Sequence, residues 1–180
     1  MGIVLRATAA FVVLAVLVGC SAKVGVTVTE TSVPMSPAPA TAAAPSAAAA
    51  SFVLYDPAAD AHADIDAALA AAKVDGKHVL IDFGADWCPD CHVLSAYLDG
   101  PAGTALVDAS FHVVKVDVGE FDRNLDVSKL LGDPIVNGIP AVVVLDGTGS
   151  VVGSTTDGGL ANARSMSEAD VLALIGTWAP

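Results

Sequence analysis

The sequence predicts an α/β fold in which a central mixed β-sheet is flanked by helices on both faces. Three observations lead there. Short apolar runs rich in β-branched residues (HVLIDF, FHVVKVDV and AVVVLD) alternate with stretches of helical spacing. An Asp146-Gly147-Thr148-Gly149 turn then folds the last of these runs back into SVVGS, adding an antiparallel partner. A final amphipathic stretch closes the chain, and no internal repeat is visible.

Taken in order, small or apolar residues at 61, 65, 68, 69 and 72 fall on one face of a helix from Asp60 to Lys73. Asp60 is placed to cap its start, and Gly76 lies just past its end. His78 to Phe83 reads as a buried strand. The turn Gly84-Ala85-Asp86 leads to Trp87 and Cys88, and PDCHVLSAYL reads as a helix with Pro89 at its first position. Proline suits that position because the first helical N–H lacks a partner in any case. A short helix, Thr104 to Asp108, is expected after the break at Gly100-Pro101. Phe111 to Val118 is the next strand, and Asp122 to Leu131 reads as a helix stopped by Gly132-Asp133-Pro134. After the loop IVNGIP come a third strand, Ala141 to Asp146, and a fourth in Ser150 to Ser154. Ser167 starts the closing helix, with Asp170 three residues on to complete a capping box.

The 180 residues allow one domain of ordinary size, and 20 acidic against 8 basic residues give a net charge of -12. Phosphate backbones repel such a chain, which argues against a nucleic-acid partner. The hydrophobic fraction of 54% owes much to alanine. No later stretch reaches the ~20 apolar residues of a spanning helix. At the N-terminus Arg6 precedes a short apolar run, Ala7 to Val18, that ends in Leu17-Val18-Gly19-Cys20. This resembles a bacterial lipobox. It implies a signal peptide over residues 1–19 and a diacylglyceryl group on Cys20, holding the protein on a membrane surface outside the cytoplasm. An ordinary secretory signal with an incidental cysteine is the alternative. Residues 20–51 scatter Pro34, Pro37, Pro39 and Pro45 among Ala, Ser and Thr and read as a disordered tether. The folded domain is expected over residues 52–180.

The other two cysteines lie in WCPDCH, Trp87 to His92. C-x-x-C is a dithiol redox motif, whereas C-x-x-C-H is also an attachment site for c-type haem. Haem would use Cys88 and Cys91 as thioethers and His92 as an iron ligand, with Met166, another histidine or solvent opposite. Domains of that kind are mostly helical, and four strands argue against one here. For zinc there is only half a site: no second C-x-x-C exists, and His62, His78 and His112 are not paired at ligand spacing. A noncatalytic binding module is a further alternative, against which the complete dithiol argues.

From about residue 56 to 180 the chain resembles the thioredoxin family. IDFGADWCPDC matches its signature in register, and the dithiol sits between a strand and a helix. Lys115-Val116-Asp117-Val118 resembles the second core strand with its lysine, and Gly138-Ile139-Pro140 the cis-proline loop that faces the dithiol. The resemblance implies a thioredoxin fold with a redox-active Cys88–Cys91 disulfide and neither metal nor other cofactor. A helix N-terminus favours thiolate over thiol, so Cys88 is the expected nucleophile and the more buried Cys91 the resolving cysteine. Asp82, in an apolar strand, is the expected proton acceptor for Cys91, with Lys115 as a partner that tunes it. Trp87, Ile139 and Pro140 are the expected substrate contacts, the cis-proline loop pairing with an extended segment as an added strand.

Pro89 and Asp90 stand where thioredoxin has Gly and Pro, and they tune the potential. Asp90 repels a thiolate on Cys88 but also interacts favourably with the helix dipole. If repulsion wins, the protein leans towards a reductant. The expectation is an extracytoplasmic, lipid-tethered thiol–disulfide oxidoreductase, monomeric, with reduction favoured over disulfide formation. Disulfides of exported proteins, or apocytochrome cysteines, are the expected acceptors, and a membrane dithiol carrier the electron donor.

Overall fold

The computed structural model describes residues 53–180. The expected signal peptide, the lipidated Cys20 and the tether lie outside the described residues. Within them the elements run α1 (Ala61–Asp75), β1 (His78–Gly84), α2 (Pro89–Asp99), α3 (Pro101–Ser110), β2 (Phe111–Asp117), α4 (Leu125–Leu130), β3 (Ala141–Leu145), β4 (Val151–Ser154) and α5 (Glu168–Gly176). Two single helical turns, Pro134–Asn137 and Ala163–Ser165, lie before β3 and before α5. None of these helices is long and apolar enough to cross a membrane.

The four strands form one mixed sheet in the order β2-β1-β3-β4. β1 runs parallel to β2 and antiparallel to β3, and β3 is antiparallel to β4. β1 and β3 are central and covered on both faces, which is why their sequences read as continuous apolar runs rather than as alternations. Val79, Ile81 and Phe83 of β1 join Val143 and Leu145 of β3 in a core with Ile65 and Ala72 of α1 and Val127 of α4. The intervening Leu80 joins Val142 and Val144 in a second core with Leu94 and Leu98 of α2 and Val171 and Ile175 of α5. Successive strand side chains point to opposite faces, so one short strand organises both layers.

Capping follows local chemistry. Asp60 Oδ1 accepts the Ala63 N–H at 3.1 Å, and α1 ends where Gly76 turns left-handed at φ 79°. Ser167 Oγ accepts the Asp170 N–H at 3.1 Å and donates to Asp170 Oδ2 at 2.7 Å. Three segments depart from expectation. α3 begins at Pro101 instead of Thr104, because proline fits a first helical turn and Gly100 breaks only the preceding helix. α4 begins at Leu125 instead of Asp122, since Gly119, Phe121 and Asn124 all have positive φ and wind residues 118–124 into a tight turn. Residues 134–137, expected as loop, form a helical turn.

Candidate active site

Cys88 caps α2 with an extended backbone and is disulfide-bonded to Cys91, one helical turn later. The Cys91 N–H points at Cys88 Sγ from 3.2 Å. This is one of the free donors of the helix end, and it favours negative charge on that sulfur. Pro89 occupies the first turn. His92 lies within hydrogen-bonding distance of the Asp86 carbonyl oxygen, its Nε2 2.6 Å away; a carbonyl only accepts, so Nε2 carries the hydrogen. Cys91 is fully buried, and Cys88, the expected nucleophile and the less buried of the two, is only 3% exposed. The loop ahead of β3 packs over it: Ile139 is buried, its carbonyl oxygen lies 3.6 Å from Cys88 Sγ, and the Ile139-Pro140 bond is cis.

Asp82 sits in mid-β1, opposite Lys115 of β2 and Val142 of β3. It is fully buried. Its Oδ2 accepts from the Tyr55 hydroxyl at 2.9 Å and from Lys115 Nζ at 3.4 Å, while Oδ1 has no partner among the described residues. Burial pushes the Asp82 carboxyl above the ordinary carboxylate range; the Lys115 charge and the Tyr55 hydrogen bond oppose that shift without cancelling it. Lys115 also donates to Ser95 Oγ at 3.1 Å. Ser95 lies four residues after Cys91 on α2, so a continuous polar path joins the acid to the helix that carries the dithiol.

Tyr55 was not legible as part of this group. Its ring fills the space that a Cβ on residue 84 would occupy, so Gly84 is what admits it. The Leu54 and Tyr55 N–H groups both donate to Asp86 Oδ1 at 2.9 Å, which fixes the segment beside the dithiol loop. Burial, and then the charge of Asp82, push the Tyr55 hydroxyl far above its ordinary value, so it stays a donor.

Trp87 is half-exposed and donates Nε1–H to the Gly119 carbonyl at 2.9 Å. Its ring meets that of Phe121, with centroids 6.0 Å apart and a 60° tilt. Asp90, between the two cysteines, is almost buried and does not act alone. Its Oδ1 accepts the Arg164 backbone N–H at 2.8 Å and its Oδ2 accepts Arg164 Nε–H at 3.1 Å. Residue 164 is 74 positions away in sequence. No local spacing signals that contact.

A disulfide at the start of a helix, facing a cis-proline loop across the end of a mixed sheet, defines a thioredoxin-type dithiol protein. A family model described as thioredoxin-like matches residues 60–147. A solved disulphide isomerase from Xylella fastidiosa Temecula1 is 47% identical over 71% of this chain and 98% of its own, with a TM-score of 0.69. The oxidised C-terminal domain of DsbD from Neisseria meningitidis is 32% identical over 53% of this chain and 82% of its own, TM-score 0.42. A thioredoxin from Thermus thermophilus is 27% identical over 49% and 68%, TM-score 0.40. No curated protein matches. The chain belongs to the thioredoxin-like family. Its paired cysteines make it a thiol–disulfide oxidoreductase.

Proposed function

We propose that this oxidoreductase works outside the cytoplasm, held to a membrane by lipid on Cys20, and reduces disulfides in exported proteins. The lipobox-like Leu17 to Cys20 supports the location. In each cycle the Cys88 thiolate attacks one sulfur of the substrate disulfide. The Cys88–substrate bond forms, the substrate S–S bond breaks, and the second substrate sulfur leaves as a thiolate that takes a proton. Cys91, its proton passing towards the ionised Asp82, then attacks Cys88. The Cys88–Cys91 disulfide forms and the first substrate sulfur departs. Two electrons pass to the substrate, and a membrane dithiol carrier returns them. The half-exposed Trp87 would flank the substrate segment, and the backbone of the otherwise buried Ile139-Pro140 loop would pair with it.

One observation carries the direction. Cys88 Sγ has as partners only a single N–H, from Cys91, and the Ile139 carbonyl oxygen, and no cationic side chain bonds it among the described residues. A thiolate so modestly stabilised leaves the reduced form reactive, as a reductant requires. The test is the reduction potential of the full chain against dithiol buffers, combined with trapping by Cys91→Ser. A value near thioredoxin's ~−270 mV with trapped mixed disulfides supports reduction; one near the ~−120 mV of strong oxidases reverses the direction. Metabolic labelling with palmitate, lost in Cys20→Ser, tests the anchor.

A second reading rests on the Xylella relative, whose name is disulphide isomerase. Isomerisation uses the same attack by Cys88 without net electron transfer. Refolding of a scrambled-disulfide protein by the pre-reduced enzyme, with no other reductant present, separates it from reduction.

A further inference from the structure

The chain between β4 and α5 runs as a strap across the site. Asn137 Nδ2 donates to the Thr156 carbonyl at 2.7 Å, fixing one end of the strap to the loop that precedes Pro140. Leu160 and Ala163 are fully buried, Leu160 in the core beneath α2. The turn Ala163–Ser165 then presents Arg164 to the first turn of α2, where both of its bonds to Asp90 are made. The two elements of the site, the cis-proline loop and the dithiol helix, are thus stapled by one segment.

We propose that Arg164 is a positioning residue for the dithiol: through its backbone N–H and guanidinium it holds the Asp90 carboxylate and balances its charge, so that a thiolate forms on Cys88 two residues from an acid. The inference rests on the dithiol-exchange reading, and not on its direction. An unbalanced carboxylate in the first turn opposes the helix end, which otherwise favours a Cys88 thiolate. With Arg164 in place, Asp90 keeps its own attraction to the helix dipole while its charge towards the sulfur is offset. The other charged or titratable groups around this end of α2 are His92 on the helix itself and Asp86 in the preceding loop; one turn on, Ser95 meets Lys115, itself bonded to Asp82, and donates to Asp99. Glu168 of α5 lies at the far end, by Gly100. Arg164 is the only cation bonded to the first turn among the described residues. The Arg164 side chain is 59% exposed, so its charge is partly screened, and its backbone N–H adds a second bond to the same carboxylate.

The test uses the full chain, pre-reduced, as wild type, Arg164→Gln, Arg164→Lys, Asp90→Asn and the Asp90→Asn/Arg164→Gln pair. Three quantities are read: the alkylation rate of Cys88 against pH, the equilibrium with a dithiol buffer, and the melting temperature. Arg164→Gln is expected to slow alkylation near neutrality about three- to tenfold, corresponding to a thiol pKa raised by roughly half to one unit. The exchange equilibrium moves in the reducing direction by a similar factor, a tenfold change being ~30 mV. Arg164→Lys, which keeps the charge and the backbone bond, restores most of the rate. In the Asp90→Asn background Arg164→Gln changes the rate less than about twofold, because the group it acts through is gone. The proposal is overturned if Arg164→Gln alters only the melting temperature, or if its effect is the same size without Asp90. A wild type with no exchangeable dithiol would overturn the functional reading first, and this one with it.

Discussion

Tyr55 reaches Asp82 across 27 positions of sequence, its hydroxyl donating at 2.9 Å to the oxygen that Lys115 also approaches. The acid, the phenol and the ammonium come from three segments, and only Gly84 leaves room for the ring between them. A buried carboxylate costs several kcal/mol unless it is partnered, so this arrangement keeps Asp82 in the fold while leaving Oδ1 free to receive a proton.

Tyr55→Phe removes the shorter of the two bonds to Asp82 and nothing else. A loss of about 1–3 kcal/mol is expected in urea unfolding at pH 8, from a buried acceptor left with only the longer lysine contact. The effect shrinks in the Asp82→Asn background, which a double-mutant cycle measures.

The order of strands and helices, and the dithiol at the start of α2, were legible because each rests on local signals. These are apolar runs, a proline in a first helical turn and an Asp-Gly turn. Asp82 was singled out through the resemblance of IDFGADWCPDC to the family signature, and its full burial is seen only in the fold. What brings Tyr55 to Asp82 and Arg164 to Asp90 is tertiary packing, over 27 and 74 residues, and no periodicity encodes it. The start of α4 was misplaced for a related reason: Asn124 tolerates left-handed backbone, but Phe121 rarely adopts it, and its positive φ is set by the fold rather than by local spacing.

Asp82→Asn gives the pH test. With the folded carboxyl raised above its ordinary value of 3.8, the folded state binds more protons than the unfolded one. Wild-type stability therefore declines as pH rises from the ordinary carboxylate range through the raised value. Asn carries no charge to bury, so the stability of the variant relative to wild type should be greater at pH 8 than at pH 4. Urea midpoints at the two pH values check the sign. If Asp82 accepts the Cys91 proton, resolution of the Cys88–substrate mixed disulfide by Cys91 should also slow about 10²-fold at pH 7.

Gly84→Ala places a methyl group inside the Tyr55 ring. Either the ring leaves Asp82 or the strand shifts. Overpacking of this kind costs about 1–3 kcal/mol, and the variant should show it as a lowered melting temperature. Tyr55→Ala in the same chain opens the space and should make the two substitutions markedly non-additive.

Phe121 holds φ 63°, a left-handed conformation that costs a side chain about 1–2 kcal/mol, while its ring packs on Trp87. Phe121→Ala keeps the strain and loses the ring contact; Phe121→Gly loses the contact but relieves the strain. Chemical unfolding should find the glycine variant more stable than the alanine variant by about 1 kcal/mol. Both should lower the rate with protein disulfides more than with a small disulfide, if the aromatic pair contacts substrate.

The two hydrogen bonds from the Leu54 and Tyr55 N–H groups end on Asp86, one residue from Trp87 and two from Cys88. Force applied to the backbone at Leu54 would load this clip before it reached β1, which begins only at His78. Because the same clip seats Tyr55 against Asp82, mechanical load and proton affinity share one fastening. Force on the segment ahead of α1 would therefore be felt at Asp82.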